Sequence, residues 1–141
     1  MCGFVGSYTP GGVDVTGSDL LHRMTATLTH RGPDSQNILC TRAFGVGFCR
    51  LAIIDLEGGE QPIHNEDESV VLVCNGEIYN YRELRSKLRD DGHRFRADVD
   101  VEVLVHLYEE HGPSFVEKLN GQFAFALLDR ARNRLVLGRD P

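Results

Sequence analysis

Several common features are missing from this sequence, and each absence removes a class of function. It has no run of Lys or Arg, and 15 basic residues against 21 acidic ones give a formal net charge of -6. Nucleic acid and anionic membrane surfaces are therefore unfavourable partners. No window approaches the ~18 apolar residues that a membrane span requires, and Met1 is not followed by the basic and then apolar stretch of a secretory leader. A cytoplasmic location is expected. The cysteines Cys2, Cys40, Cys49 and Cys74 contain no CxxC pair, so a zinc site is not expected and no metal is assigned. Without a leader, free thiols are expected rather than disulfides, and Cys40, Cys49 and Cys74 read as small buried hydrophobes. There is also no internal repeat, low-complexity tract or linker, which makes residues 1–141 one domain.

What is present fits that frame. With 41% hydrophobic and 26% charged residues over 141 positions, the chain is an ordinary globular protein, long enough to bury a core without staples. The chemistry concentrates at Met1-Cys2-Gly3. Once Met1 is removed, Cys2 carries a thiol and a free α-amine on one residue, a nucleophile beside its own base.

The pattern along the chain alternates strands with amphipathic helices. Gly3–Tyr8 reads as a strand, and Leu21, Met24 and Leu28 recur at helical spacing in a helix from Ser18 to about His30. RGPDS at 31–35 is a tight turn whose Arg and Asp are too polar for core filler. Strands are expected over Gln36–Cys40, Phe44–Cys49, Leu51–Leu56 and Val70–Cys74, with His64–Ser69 as a polar connector. Asn80 and Glu83 have capping-box spacing before a helix that Gly92 stops. His93–Arg96 reads as a brief strand. Asp100 can cap a helix with Val101, Leu104, Val105 and Tyr108 on one face, Gly112-Pro113 opens another short helix, and Gly121–Asp129 with Arg134–Arg139 forms a hairpin.

Three further positions could carry chemistry, each with a plainer alternative. Arg50 opens the apolar run RLAIIDL; it is either an edge charge reaching water or a fork for a substrate carboxylate. Asn75-Gly76 is either a hairpin turn or, as a side-chain amide beside a glycine N–H at a strand end, an oxyanion-hole donor pair. Asp100 is either a helix cap or the holder of a substrate ammonium.

Taken in order, MCGFVG at 1–6, RGPDS at 31–35, RLAIIDL at 50–56, GGEQP at 58–62, NGEIYNY at 75–81, DVEVLVHLYEEHG at 100–112 and GQFAFALLD at 121–129 resemble the glutaminase domain of the asparagine synthetase family over nearly the whole chain. The resemblance implies an α+β fold of the N-terminal nucleophile (Ntn) hydrolase type, a four-layer α/β/β/α sandwich of two antiparallel sheets, and class II glutamine amidotransfer. It further implies Cys2 as nucleophile, Asn75 and Gly76 as the oxyanion hole, Arg50 and Asp100 at the α-carboxylate and α-ammonium of glutamine, and Leu51, Ile53 and Glu77 lining its pocket. Residues 97–99 are Ala97, Asp98 and Val99 where the family has hydroxyl-bearing residues, which sets a second acid near Asp100.

The implied partners are L-glutamine and a synthetase domain in cis, with a homodimer possible for the full-length protein. No cofactor is implied for this domain; ATP and Mg2+ belong to the synthetase domain, and the chain is expected to be truncated within its own glutaminase fold. Two alternatives remain at this stage. One is a related amidotransferase with another acceptor, such as the aminosugar-phosphate or phosphoribosylamine enzymes, from which RLAIIDL and NGEIYN differ. The other is a noncatalytic module on the same fold.

Overall fold

The computed structural model describes residues 2–9, 18–41, 43–51 and 59–141. The chain forms two compact units, residues 1–53 with 60–62 and residues 54–59 with 63–141. The strand expected over Leu51–Leu56 falls largely outside the described residues.

The first unit is a three-stranded antiparallel sheet of β1 (Gly3–Tyr8), β2 (Ser35–Cys40) and β3 (Phe44–Arg50), in the order β1-β3-β2. The central strand is buried along its whole length. Helix α1 (Ser18–Ala26) packs on β3, with Thr25 filling the space over Gly47, where a Cβ would come within 1.7 Å of Thr25 Oγ1. The helix ends four residues short of the expected His30. Its hydroxyls explain the difference: Thr27 Oγ1 donates to Met24 O at 2.7 Å and Thr29 Oγ1 to Ala26 O at 2.9 Å, and β-branched residues that back-bond to preceding carbonyls favour turns over continued helix. The backbone from Thr27 to Gly32 accordingly runs in three-residue turns. All four cysteines are free, but Cys40 lies exposed at the end of β2 rather than buried.

The second unit is a four-stranded antiparallel sheet, β4-β5-β6-β7, formed by β4 (Ile63–His64), β5 (Val70–Ile78), β6 (Gly121–Asp129) and β7 (Arg134–Arg139). Period-two alternation sends Val70, Leu72, Cys74 and Ile78 of β5, with Phe123, Phe125 and Leu127 of β6, to one face. There they form one core with Leu88 of α2 (Tyr81–Asp90), Val103, Leu104, Val105, Leu107 and Tyr108 of α3 (Val103–His111), and Phe115 of the following 3-10 turn. Residues 103–108 of α3 are all buried, as the broad apolar stripe requires.

Several local expectations give way to longer-range pairing. Val70–Cys74 is extended to Ile78, because nine residues of β6 pair with β5 in continuous register as far as Ile78 and Gly121. The hairpin-turn alternative for Asn75-Gly76 is therefore excluded; both lie inside a strand. Asn80 makes no capping hydrogen bond. Its amide donates to Lys118 O at 2.9 Å and accepts from Asn120 N at 3.0 Å, tying the start of α2 to the approach to β6. His93–Arg96 is not a strand but a coil, pinned by Glu66 on Arg94 N at 2.8 Å and by Glu102 on Arg96 N at 2.7 Å and Ala97 N at 3.0 Å. Gly92 does stop α2, at φ 103°, a left-handed conformation open to glycine.

Candidate active site

Two groups of the expected residues are assembled, one in each unit. In the first, Cys2 is half-buried just ahead of β1, and its neighbour Gly3 pairs with Cys49 of β3. The Cys2 sulfur accepts a hydrogen bond from Leu51 N at 3.3 Å and donates to Leu51 O at 3.6 Å, so the backbone of Leu51 meets the thiol directly. Arg50, the last residue of β3, is 8% exposed; the solvent-facing alternative for it is excluded. Met1 and Ile53 lie outside the described residues.

The RGPDS turn, to which residue reading alone gave no role, braces this group. Arg31 Nε donates to Cys2 O at 3.2 Å, and Asp34 N donates to Arg50 O at 3.0 Å. Gly32 lies so close to β3 that a Cβ there would stand 2.4 Å from the carbonyl carbon of Cys49 and 2.6 Å from that of Arg50. Only glycine allows that approach. Cys49, behind Cys2, is a different kind of thiol: burial, and then the neighbouring Cys2, push its pKa up, and it donates to Thr25 O at 3.3 Å. Such a thiol stays protonated and inert.

In the second unit, Asn75, Gly76 and Glu77 lie in the second half of β5, Asn75 half-buried and the other two exposed. The direction of the Gly76 amide follows from its neighbours. Ile78 N donates to Asp100 Oδ2 at 2.5 Å, while Tyr79 N turns to Asn120 O on the β6 side at 2.7 Å. Strand N–H groups alternate between edges, so Gly76 N–H points away from β6, to the same edge as Ile78 N–H. Asn75 and Glu77 project together from the sheet face opposite α2 and α3.

Asp100 is not a helix cap. It lies within a 3-10 turn, Asp100–Glu102, preceded by Val99, and its carboxylate reaches 22 residues back to the end of β5. Burial pushes its pKa up; N–H groups of Ile78, Asp100 and Val101 oppose that shift, and Glu77 adds to it. Asp98, the competing acid, has its carboxylate bonded to Arg85. Arg85 is a residue that the sequence reading missed. It is 6% exposed, donates to Ala97 O at 2.8 Å and Val99 O at 2.9 Å, stands 3.6 Å from Glu102, and stacks its guanidinium 4.6 Å from the Phe95 ring centre. The available signal was its position: with Tyr81, Leu84 and Leu88, Arg85 falls on the apolar stripe of α2, where a charge needs a buried partner.

These features define a class. A family model described as the glutamine amidotransferase domain matches residues 1–141, and the chain belongs to that family. Two solved structures share the fold over about 70% of this chain. A glutamine phosphoribosylpyrophosphate amidotransferase from B. subtilis has a TM-score of 0.55 at 22% identity, covering 69% of this chain and 23% of that one. An allosteric regulatory enzyme of purine biosynthesis has a TM-score of 0.57 at 24% identity, covering 70% and 24%. The expected α+β architecture of two antiparallel sheets with helices is the one observed.

Within the family, the chain is similar to glutamine-hydrolysing asparagine synthetases. Asparagine synthetase 2 of Oryza sativa subsp. japonica is 41% identical over 140 residues, 99% of this chain and 23% of the relative. That of Asparagus officinalis is 48% identical over 117 residues, 83% and 20%, and asparagine synthetase 1 of Bacillus subtilis is 41% identical over 143 residues, 100% and 23%. The chain thus spans about a fifth to a quarter of the length of the curated relatives it matches. Among the described residues, no helix is long and apolar enough to cross a membrane.

Proposed function

We propose that this domain hydrolyses L-glutamine at Cys2 and delivers the ammonia to a synthetase domain of the same polypeptide, which amidates aspartate to asparagine. The observation that carries the reading is the setting of Cys2: a half-buried thiol held against the Leu51 backbone and braced by Arg31, in a chain matched over its whole length by the amidotransferase family.

Removal of Met1 frees the α-amine of Cys2. The thiol passes its proton to that amine, directly or through a water, and the sulfur attacks the carboxamide carbon of glutamine. Negative charge then develops on the carboxamide oxygen, where the Asn75 amide and the Gly76 N–H donate to it; the edge-pointing Gly76 amide supports this role. Collapse breaks the C–N bond, the α-ammonium protonates the leaving nitrogen, and ammonia departs. Water then cleaves the γ-glutamyl thioester, giving glutamate and restoring the thiol. Arg50 binds the substrate α-carboxylate, Asp100 its α-ammonium, and Leu51, Ile53 and Glu77 line the pocket. Asp100 is supported over Asp98 by its burial at the end of β5 and by the capture of Asp98 by Arg85.

ATP and Mg2+ would be held by the synthetase domain, where they activate the acceptor carboxylate; no step here passes through them. The higher identity to asparagine synthetases than to the phosphoribosylpyrophosphate enzyme supports aspartate as acceptor. A cytoplasmic location is supported by the free thiols, and a homodimer of the full-length protein is retained from the family resemblance. The test is intact-mass analysis of the full-length protein before and after a glutamine-analogue affinity label. Loss of Met1 and a single adduct on Cys2, absent in Cys2→Ala together with glutaminase turnover, is the expected result. Turnover that persists in Cys2→Ala would remove Cys2 from the mechanism.

A further inference from the structure

At the other end of β5 from Asn75, three segments bring together four side chains that the glutamine chemistry does not use. Glu66 comes from the turn before β5, His93 from the coil after α2, and His106 and Glu109 from one face of α3. Their ligand atoms all lie within 4.8 Å of one another. His106 Nδ1 is 3.1 Å from Glu109 Oε2 and 3.5 Å from Glu66 Oε2, and His93 Nδ1 is 3.6 Å from an oxygen of each carboxylate. Three of these four separations are too long for good hydrogen bonds. Taken together, the four separations of 3.1 to 3.6 Å bracket the edge of about 3.4 Å expected between ligands placed ~2.05 Å from one tetrahedral centre.

Both rings turn one nitrogen to the carboxylates. His93 Nε2 lies 2.9 Å from Glu110 Oε1, which leaves its Nδ1 facing Glu66 and Glu109. His106 is wholly buried, its ring packed against Phe95 with centroids 4.6 Å apart, and it too presents Nδ1 to the two carboxylates. Two imidazole nitrogens and two carboxylates are a donor set whose charge one divalent ion would balance.

The surroundings resemble an outer shell. Glu110 orients His93, Arg94 N fixes Glu66 at 2.8 Å, and Asn65 Nδ2 fixes Glu109 at 2.8 Å. We propose that Glu66, His93, His106 and Glu109 form a structural site for a divalent transition-metal ion of the zinc class. Two imidazoles disfavour Mg2+ and Ca2+, which take oxygen ligands, and four protein ligands leave no position for catalysis. The ion would staple α3 to the turn before β5 and to the coil leading toward Asp100.

The test uses the full-length protein, stripped with chelator and titrated with Zn2+ against a competing chromophoric chelator, and with Co2+ in parallel. The parent should take up one more equivalent of Zn2+ than His93→Gln or Glu66→Gln, both at partly exposed positions, and should show the strong visible absorption of tetrahedral Co2+. Glu110→Gln should weaken binding by about tenfold. Zinc should raise the melting temperature of the parent but not of His93→Gln. Equal uptake by the parent and both variants would overturn the proposal and leave the cluster an imidazolium–carboxylate network.

Discussion

The two units hold their groups of expected residues by opposite means. Around Cys2 the contacts are mostly backbone: Leu51 N and O on the sulfur, Asp34 N on Arg50 O, and Gly32 pressed against the Cys49 and Arg50 peptides. Around Asp100 the contacts are charged side chains: the buried Arg85 collects the carbonyls of Ala97 and Val99, the exposed Asp98 and the buried Glu102, while Glu102 holds the N–H groups of Arg96 and Ala97. A backbone-built site is sensitive to added volume. A charge-built one is sensitive to a lost partner.

The largest expected effect tests the first half of that contrast. Gly32→Ala places a methyl group where two peptide groups already stand, and overpacking without a rotamer to relieve it should cost about 3 kcal/mol or more in denaturant unfolding. Because Arg50 is displaced with it, glutamine hydrolysis should fall as well; a variant of parental stability and activity would show that the turn gives way freely. Asn75→Ala follows, with a loss on the order of 10² to 10³ in kcat and little change in KM if its amide meets the oxyanion. A change confined to KM would assign Asn75 to ground-state binding.

Arg85→Ala breaks the charge-built half. Glu102 is left buried without its counter-ion, at a cost of about 3 kcal/mol, and Asp100 loses the brace of its turn, so glutamine KM should rise alongside. Retention of parental KM at reduced stability would separate the turn from substrate binding.

The smallest effect concerns Asp100 itself. Its folded-state pKa is raised, chiefly by burial, so the folded protein prefers the protonated acid. This contribution to stability is fully present below the ordinary Asp pKa and is lost as pH rises through the elevated folded value. Asp100→Asn should therefore be as stable as the parent or slightly more so at neutral pH, while its glutamine KM rises about tenfold. In the parent, KM should climb on acidification before an ordinary carboxylate would titrate, and in Asp100→Asn that climb should disappear. A parental KM profile that stays flat across this window would separate Asp100 from the ammonium.

Elements with local causes were legible from residue order. The β6–β7 hairpin was anticipated with its observed bounds because its strands meet across a short turn, and α3 because its apolar residues recur at helical spacing. Where a distant partner intervened, local reading gave way. Asn75-Gly76 carries a turn signal, yet β6 keeps it in a strand; Asn80 has capping-box spacing, yet its amide is taken by residues 118 and 120.

The candidate site divides the same way. Cys2, Arg50, Asn75, Gly76 and Asp100 came from short motifs and a family resemblance. Arg31 on the Cys2 carbonyl and Arg85 under the Asp100 turn emerged only with the fold. The metal-binding candidates show the reason most plainly. The expectation that no metal binds rested on cysteine spacing, but Glu66, His93, His106 and Glu109 are spread over 44 residues with no recognisable interval. Sequence alone determined the periodicities, turn residues and motifs, which depend on neighbours a few positions away. Tertiary structure alone decided which amide faces an open strand edge and which charges share a buried partner, because those depend on chain segments that meet only when the sheets form.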